Sequence, residues 1–193
     1  MDALEPRELL SILKLAKKEN TRNWAMILTA YRHALRASEV CKLKLDDLDM
    51  KNLSIKCNRL KGSLEQTQAL EPHRGIPELD EIKALKAWLR EREKLDDGSG
   101  YLFLSKRGGS ITRQRFYDLF WEYATREGVP ENKRHPHVLK HSIVTHMVRE
   151  NVNLAKIQIA AGHKAIKSTM QYAEVTGNEA GQARRQALMR IFG

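Results

Sequence analysis

The hydrophobic period changes twice along this chain, and that change bounds the fold. From Glu5 to Ala16, the apolar residues Leu9, Leu10, Leu13 and Ala16 recur at helical spacing around an early Pro6. Trp24, Ile27, Leu28 and Tyr31 do the same from Asn23 to His33, and Ser38 is placed to cap a short helix through Cys41, with Glu39 favourable in its first turn. The period then shortens. Asp46 to Asp49, Leu53 to Asn58 and Gln66 to Leu70 read as short strands, with Lys61-Gly62-Ser63 at a turn where glycine can take a positive φ. After the strands the helical period returns. It marks Pro77 to Glu93, a helix capped by Thr112 and running to about Glu127, Pro136 to Glu150, Leu154 to Ala161, a short stretch from Ser168 that carries Tyr172, and Glu179 to Ile191. Between them Asp96 to Gly100 is a loop, Tyr101 to Leu104 is extended and Lys106 to Gly109 is a turn. The expected class is α+β, mainly helical, with one small antiparallel sheet. With 193 residues, 41% of them hydrophobic, the chain can bury the core of one ordinary domain.

Charge points to a partner. Lys and Arg number 34 against 24 Asp and Glu, a formal net charge of +10, and these basic residues are spread along the chain. A polyanion explains that excess best, nucleic acid first, and its binding surface has to be assembled by the fold. The helix after Thr112 carries Arg113 and Arg115 in its first turn, where the helix dipole disfavours cations. An anionic partner accounts for them; a pair of solvated arginines is the alternative. Cys41 and Cys57 are too few for a disulfide framework and suit a reducing compartment. No stretch approaches the roughly 18 consecutive apolar residues of a membrane span. Met1 to Pro6 lacks a basic start followed by an apolar run, so no secretory signal is expected and the expected location is the cytoplasm.

Chemistry concentrates in three places. Tyr172 lies nine positions after His163; His137-Val138-Leu139-Lys140-His141 lies upstream, and Leu35-Arg36-Ala37-Ser38-Glu39 far upstream. A phenol titrates near 10 and is a weak nucleophile at neutral pH, so it needs neighbouring cations and a substrate such as a phosphodiester. His137, His141 and His146 share one helix, and histidines four apart can bind zinc. No His-Glu-x-x-His, nearby cysteine or carboxylate cluster accompanies them, so no metal and no other cofactor is expected. His141, one turn after His137, is expected to be a buried structural histidine.

In this order Arg36, His137, His163 and Tyr172, with the nine-residue step from His163, resemble the catalytic domain of tyrosine recombinases, the phage-integrase family. Arg36-Ala37-Ser38-Glu39, Arg59-Leu60-Lys61-Gly62, Leu102-Phe103-Leu104-Ser105 and His135-Pro136-His137 look most like the small fimbrial phase-variation invertases. The resemblance implies the tyrosine-recombinase catalytic fold over residues 1–177. It also implies a C-terminal helix over 178–193 that is exchanged between protomers of a homo-tetramer on double-stranded DNA. Either the chain is a naturally minimal recombinase or it is a catalytic piece of a longer integrase. Arg36, Lys140 and His163 would hold the scissile phosphate and Tyr172 would attack it. His137 would act as acid–base partner or phosphate donor. Lys61 would protonate the leaving oxygen, with Lys56 as its rival, and Arg59, Arg113 and Arg115 would contact DNA. Two positions depart from the family pattern. Lys140 stands where a second arginine is usual, giving one compact charge in place of a planar fork, and Ala34 stands where glycine is usual. The other readings are a decayed, purely DNA-binding protein and a topoisomerase-like enzyme that relaxes supercoils.

If the excess charge serves DNA, affinity falls steeply with salt, each neutralised phosphate adding about −0.9 to the slope of log affinity against log salt. A filter-binding salt titration measures that slope, and a flat line counts against a DNA partner.

Overall fold

A helix buried on nearly every side organises the molecule. The computed structural model describes residues 2–59, 65–95, 98–173 and 185–191. Helix α1 (Pro6–Glu19) starts where the Glu8 carboxylate accepts from the Glu5 backbone N–H at 2.7 Å, and it buries Leu9, Ile12, Leu13 and Ala16. The Asn20 side chain then caps α2 (Thr21–Arg32) by accepting from Asn23 N. Every residue from Trp24 to Ala30 of α2 is buried, because α1, α4 and α6 pack around it. Helix α3 (Ala37–Cys41) is capped two residues before the expected Ser38. Arg36 is the N-cap, and Glu39 reaches back to accept from its backbone N–H at 2.7 Å.

The sheet is three-stranded and antiparallel, in the order β1 (Leu48–Asp49), β2 (Ser54–Cys57), β3 (Gln66–Ala69), with Leu48 opposite Ile55 and Ile55 opposite Gln68. Ile55 and Cys57 alternate inward to the core while Lys56 points out. The first half of the expected strand Asp46–Asp49 belongs instead to a 3₁₀ turn, Leu45–Asp47, and the second half is β1. Lys61 and the turn it was assigned to lie outside the described residues.

Past the sheet, the expected helix from Pro77 divides into a 3₁₀ turn, Pro77–Leu79, and α4 (Glu81–Arg92). The division comes at Asp80, whose carboxylate caps Lys83 N. The segment from Tyr101 to Leu104, expected to be extended, forms isolated bridges only at its ends, Tyr101 to Lys44 and Leu104 to Ser110, and bends at Leu102 and Phe103 between them. Thr112 Oγ1 accepts from Arg115 N to start α5 (Arg113–Arg126), which buries Phe116, Leu119, Phe120, Tyr123 and Ala124. Helices α6 (His137–Arg149), α7 (Leu154–Ala161) and α8 (Lys167–Met170) follow, and Tyr172 sits in the turn after α8. Residues 185–191 are helical, whereas 178–184 of the expected C-terminal helix lie outside the described residues. No helix among the described residues is long and apolar enough to cross a membrane.

Arg59 corrects an expectation. It was assigned to the DNA-binding surface, yet its side chain is fully buried. Its guanidinium donates to the carbonyls of Ala34 (2.8 Å), His33 (2.8 Å) and Ala160 (3.0 Å). It therefore ties the end of α2 to the end of α7 and has no reach to a ligand. Gly162 makes room for it. There φ is +65°, and a Cβ would lie 2.8 Å from Arg59 Nε. Ala34 also adopts a positive φ, 49°, which explains why glycine suits that position. Its methyl packs with Val144, Ile157 and Ala161 in a small second core against which Tyr172 rests.

Gly162→Ala combines a left-handed backbone, costing about 1–2 kcal/mol, with displacement of the Arg59 guanidinium. Thermal denaturation should show a Tm lower by about 2–4 °C for each kcal/mol lost, and an unchanged Tm would mean that Arg59 moves aside freely.

Candidate active site

Three helix starts meet at one cleft. Arg36, Ala37 and Ser38 enter from α3, Arg113, Gln114 and Tyr117 from α5, and His135, Pro136 and His137 from the start of α6, around a volume of about 630 Å³. Arg36 is 36% exposed there and is aimed by Glu39, whose buried carboxylate accepts from Nη1 at 2.9 Å. Arg113 shares the cleft. Arg115, two residues on, is exposed but does not line it.

Beneath the cleft lies Lys140, 3% exposed, its Nζ donating to the carbonyls of Ala34 (3.0 Å) and Ala161 (2.7 Å). The assigned phosphate ligand thus points into the body of the protein, at the same helix ends that Arg59 binds. Burial, with Arg59 and Arg36 nearby, lowers its pKa to about 7, against the opposing pull of Glu39. His163 is 8% exposed, with Nδ1 and Thr169 Oγ1 3.0 Å apart. Burial and the cations Lys140, Arg36 and Arg59 hold it down to about 4.

Tyr172 and the α6 histidines form a chain of rings. The Tyr172 hydroxyl and His141 Nδ1 are 2.5 Å apart, and the His141 ring meets that of His137 edge-on at 4.3 Å. His141 is therefore only half-buried and faces the candidate nucleophile; it is not the enclosed structural histidine expected. Burial first, then the charges of His137, His135 and Lys140, lower its pKa to about 4. Burial raises that of Tyr172, so the proton rests on the phenol. His137 is exposed at the rim, its pKa lowered by burial and by His135, Lys140 and Arg36. The structure thus groups Arg36, His137, Lys140, His163 and Tyr172 in one region. Sequence reasoning missed His141, Glu39 and Thr169 as parts of it. The four-residue step from His137 to His141 was the available signal for the first, and the three-residue step from Arg36 to Glu39 for the second.

A cationic cleft with a phenol at its side now has a context. Residues 2–179 match the model of the phage integrase family. The chain belongs to that family. It is 32% identical over 178 residues to the type 1 fimbriae regulatory protein FimB of Escherichia coli K12, covering 91% of this chain and 84% of that one. It is 28% identical to the tyrosine recombinase XerA of Pyrococcus furiosus, over 96% of this chain and 61% of XerA. Among solved structures, a pre-cleavage complex of the XerH site-specific recombinase with its difH substrate superposes with TM-score 0.78 at 23% identity, covering 94% of this chain and 53% of that one. A crystal structure of XerA recombinase gives 0.76 at 22%, covering 97% and 63%. The chain thus spans little more than half to two thirds of these longer recombinases, and shares with them the expected mainly helical catalytic fold with its small sheet.

Lys140 gives this family member a measurable signature. Its pKa is lower folded than unfolded, so between about pH 7 and about pH 10 the unfolded chain binds the extra proton. Stability should therefore rise with pH across that window, by at most about 1.4 kcal/mol per pH unit from this group. Urea denaturation of wild type and Lys140→Met at a series of pH values checks this, because the mutant should lack that rise.

Proposed function

We propose that this chain is a site-specific DNA recombinase that cleaves and rejoins double-stranded DNA through a 3′-phosphotyrosyl link to Tyr172. The observation that carries this reading is the placement of the Tyr172 hydroxyl on His141, beside a cleft into which Glu39 aims Arg36. In the proposed step Tyr172 Oη bonds to phosphorus, the P–O5′ bond breaks, and the 5′ oxygen leaves with a proton. Arg36 offers its planar fork to the non-bridging oxygens, which gather charge in the transition state. His163 and His137 supply further donors, and Lys61 is the proposed source of the leaving-group proton. Lys140 adds positive potential from below. Because the ester bond conserves its energy in the phosphotyrosine, attack by a 5′ hydroxyl of another strand reverses the step without a nucleotide cofactor.

Exchange between two DNA sites requires several protomers, and we assign that task to the C-terminal segment. Residues 185–191 are helical and exposed throughout, with Leu188, Met189 and Ile191 at 50, 76 and 68%. Ile159 on α7, Ile166 just before α8 and Met170 on α8 are exposed apolar residues that suit such a segment from a neighbour in a tetramer. The catalytic unit then ends near residue 177, and the protein works in the cytoplasm on chromosomal or mobile DNA.

Tyr172→Phe should bind DNA as the wild type does and form no covalent adduct on a denaturing gel. A band in that mutant, or none in the wild type, would overturn the assignment; the second result favours a protein that binds DNA without cutting it. Truncation after Gly177 should keep cleavage and lose the pairing of two DNA sites in a native gel.

A further inference from the structure

We infer that His141 takes the proton from Tyr172 as the phenol attacks the phosphate, an assignment that rests on the reading of this chain as a DNA-cleaving recombinase. Attack needs an acceptor within hydrogen-bond reach of the phenol, and His141 Nδ1 stands 2.5 Å from Tyr172 Oη. His137 does not fill that place. It lines the cleft with Arg36 and Arg113 and meets the His141 ring edge-on, while the Tyr172 ring packs against that of His141.

Polarity supports the same role. Burial lifts the phenol while burial and neighbouring cations depress His141, so the resting hydrogen bond runs from O–H to a neutral Nδ1, with the other imidazole proton on Nε2. A neutral imidazole already accepting the phenolic proton is the form a general base requires. As the Oη–P bond forms, the phenol oxygen loses electron density to phosphorus and its proton passes to Nδ1, leaving imidazolium. The P–O5′ bond breaks, and its electron pair is protonated by a separate acid. In the return step a 5′ hydroxyl attacks, and His141 hands its proton back to the departing Tyr172 oxygen. The imidazolium forms one helical turn from His137 and close to Lys140, whose charges oppose it, and the phosphate then in the cleft offsets them.

The test uses the full chain and a nicked duplex bearing the sequence that the wild type selects from a randomised DNA pool. His141→Gln keeps a hydrogen-bond acceptor and cannot take a proton. Single-turnover cleavage should fall about 10²- to 10⁴-fold with DNA affinity unchanged. A second duplex carrying sulfur at the bridging 5′ position makes a leaving group that needs no proton. His141→Gln should remain slow on it, because the missing function acts on the nucleophile. Recovery on the sulfur substrate would make His141 the acid and overturn the inference, as would wild-type rates on the oxygen substrate. If the wild type forms no adduct, the recombinase reading fails and takes this inference with it. A DNA-independent measurement adds to the test. Imidazole nitrogen NMR of the free protein should show His141 with Nε2 protonated and Nδ1 accepting, and the Nδ1 resonance should move in Tyr172→Phe. A proton resting on Nδ1 would contradict the inference.

Discussion

Two helix ends and two buried cations hold this site together. Helices α2 and α7 converge by their C-termini, where unpaired carbonyls gather partial negative charge. Arg59 binds the carbonyls of His33, Ala34 and Ala160, and Lys140 binds those of Ala34 and Ala161. Without these donors the junction would leave buried carbonyls unmet, each costing about 1–3 kcal/mol. Without the carbonyls, and the Glu39 carboxylate 3.7 Å from Arg59, two cations could not lie so deep. Each side of the junction makes the other possible. The segments it joins carry the candidate site residues: Arg36 follows Ala34 by two residues, and His163 follows Ala161 by two.

That junction also accounts for the lysine where the family usually has arginine. A site built to grip a phosphate by two oxygens would favour the planar fork. A site that caps two carbonyls from separate helices asks for a compact donor with rotatable N–H groups, and an ammonium is one. The sheet contributes to the same junction from the other side. Gln68 of β3 donates to the Ala160 carbonyl at 3.0 Å and also meets His33, whose other ring nitrogen lies 2.7 Å from the buried Glu81. Strand, α2, α4 and α7 are thus locked to one another through polar groups beneath the cleft.

What was legible in the sequence follows from range. Thr112 announces α5, and the step from His163 to Tyr172 announces the site, because caps and short motifs are local chemistry. The apolar periods located nearly every element for the same reason. Arg59 was misjudged because nothing near it in sequence says it is buried. Its acceptors lie 25, 26 and 101 residues away, and only the converged backbone supplies them. Lys140 was placed in the right region and given the wrong direction on the same account. Ser38 looked like the better cap by residue type, and Arg36 took the position because Glu39 could close on its backbone. His141 shows a different failure. Its four-residue offset from His137 was visible, but its partner stands 31 residues away across a packing contact that periodicity does not encode.

The cations beneath the cleft act on the histidines as well as on any phosphate. Burial first, and then Lys140 among other charges, holds both His141 and His163 down to about 4, with Arg36 and Arg59 adding to it at His163. In the free protein the two rings are therefore neutral and Tyr172 keeps its proton. A phosphodiester entering the cleft brings a negative charge to the same few ångströms and offsets those cations, so the imidazoles become easier to protonate. The base then strengthens when the substrate arrives. Under the proposed function, a phenol kept protonated in the absence of DNA is a poor nucleophile toward other electrophiles, and its activation is tied to the phosphate it would attack. On that reading the buried charges that close the junction between α2 and α7 also set when the tyrosine reacts.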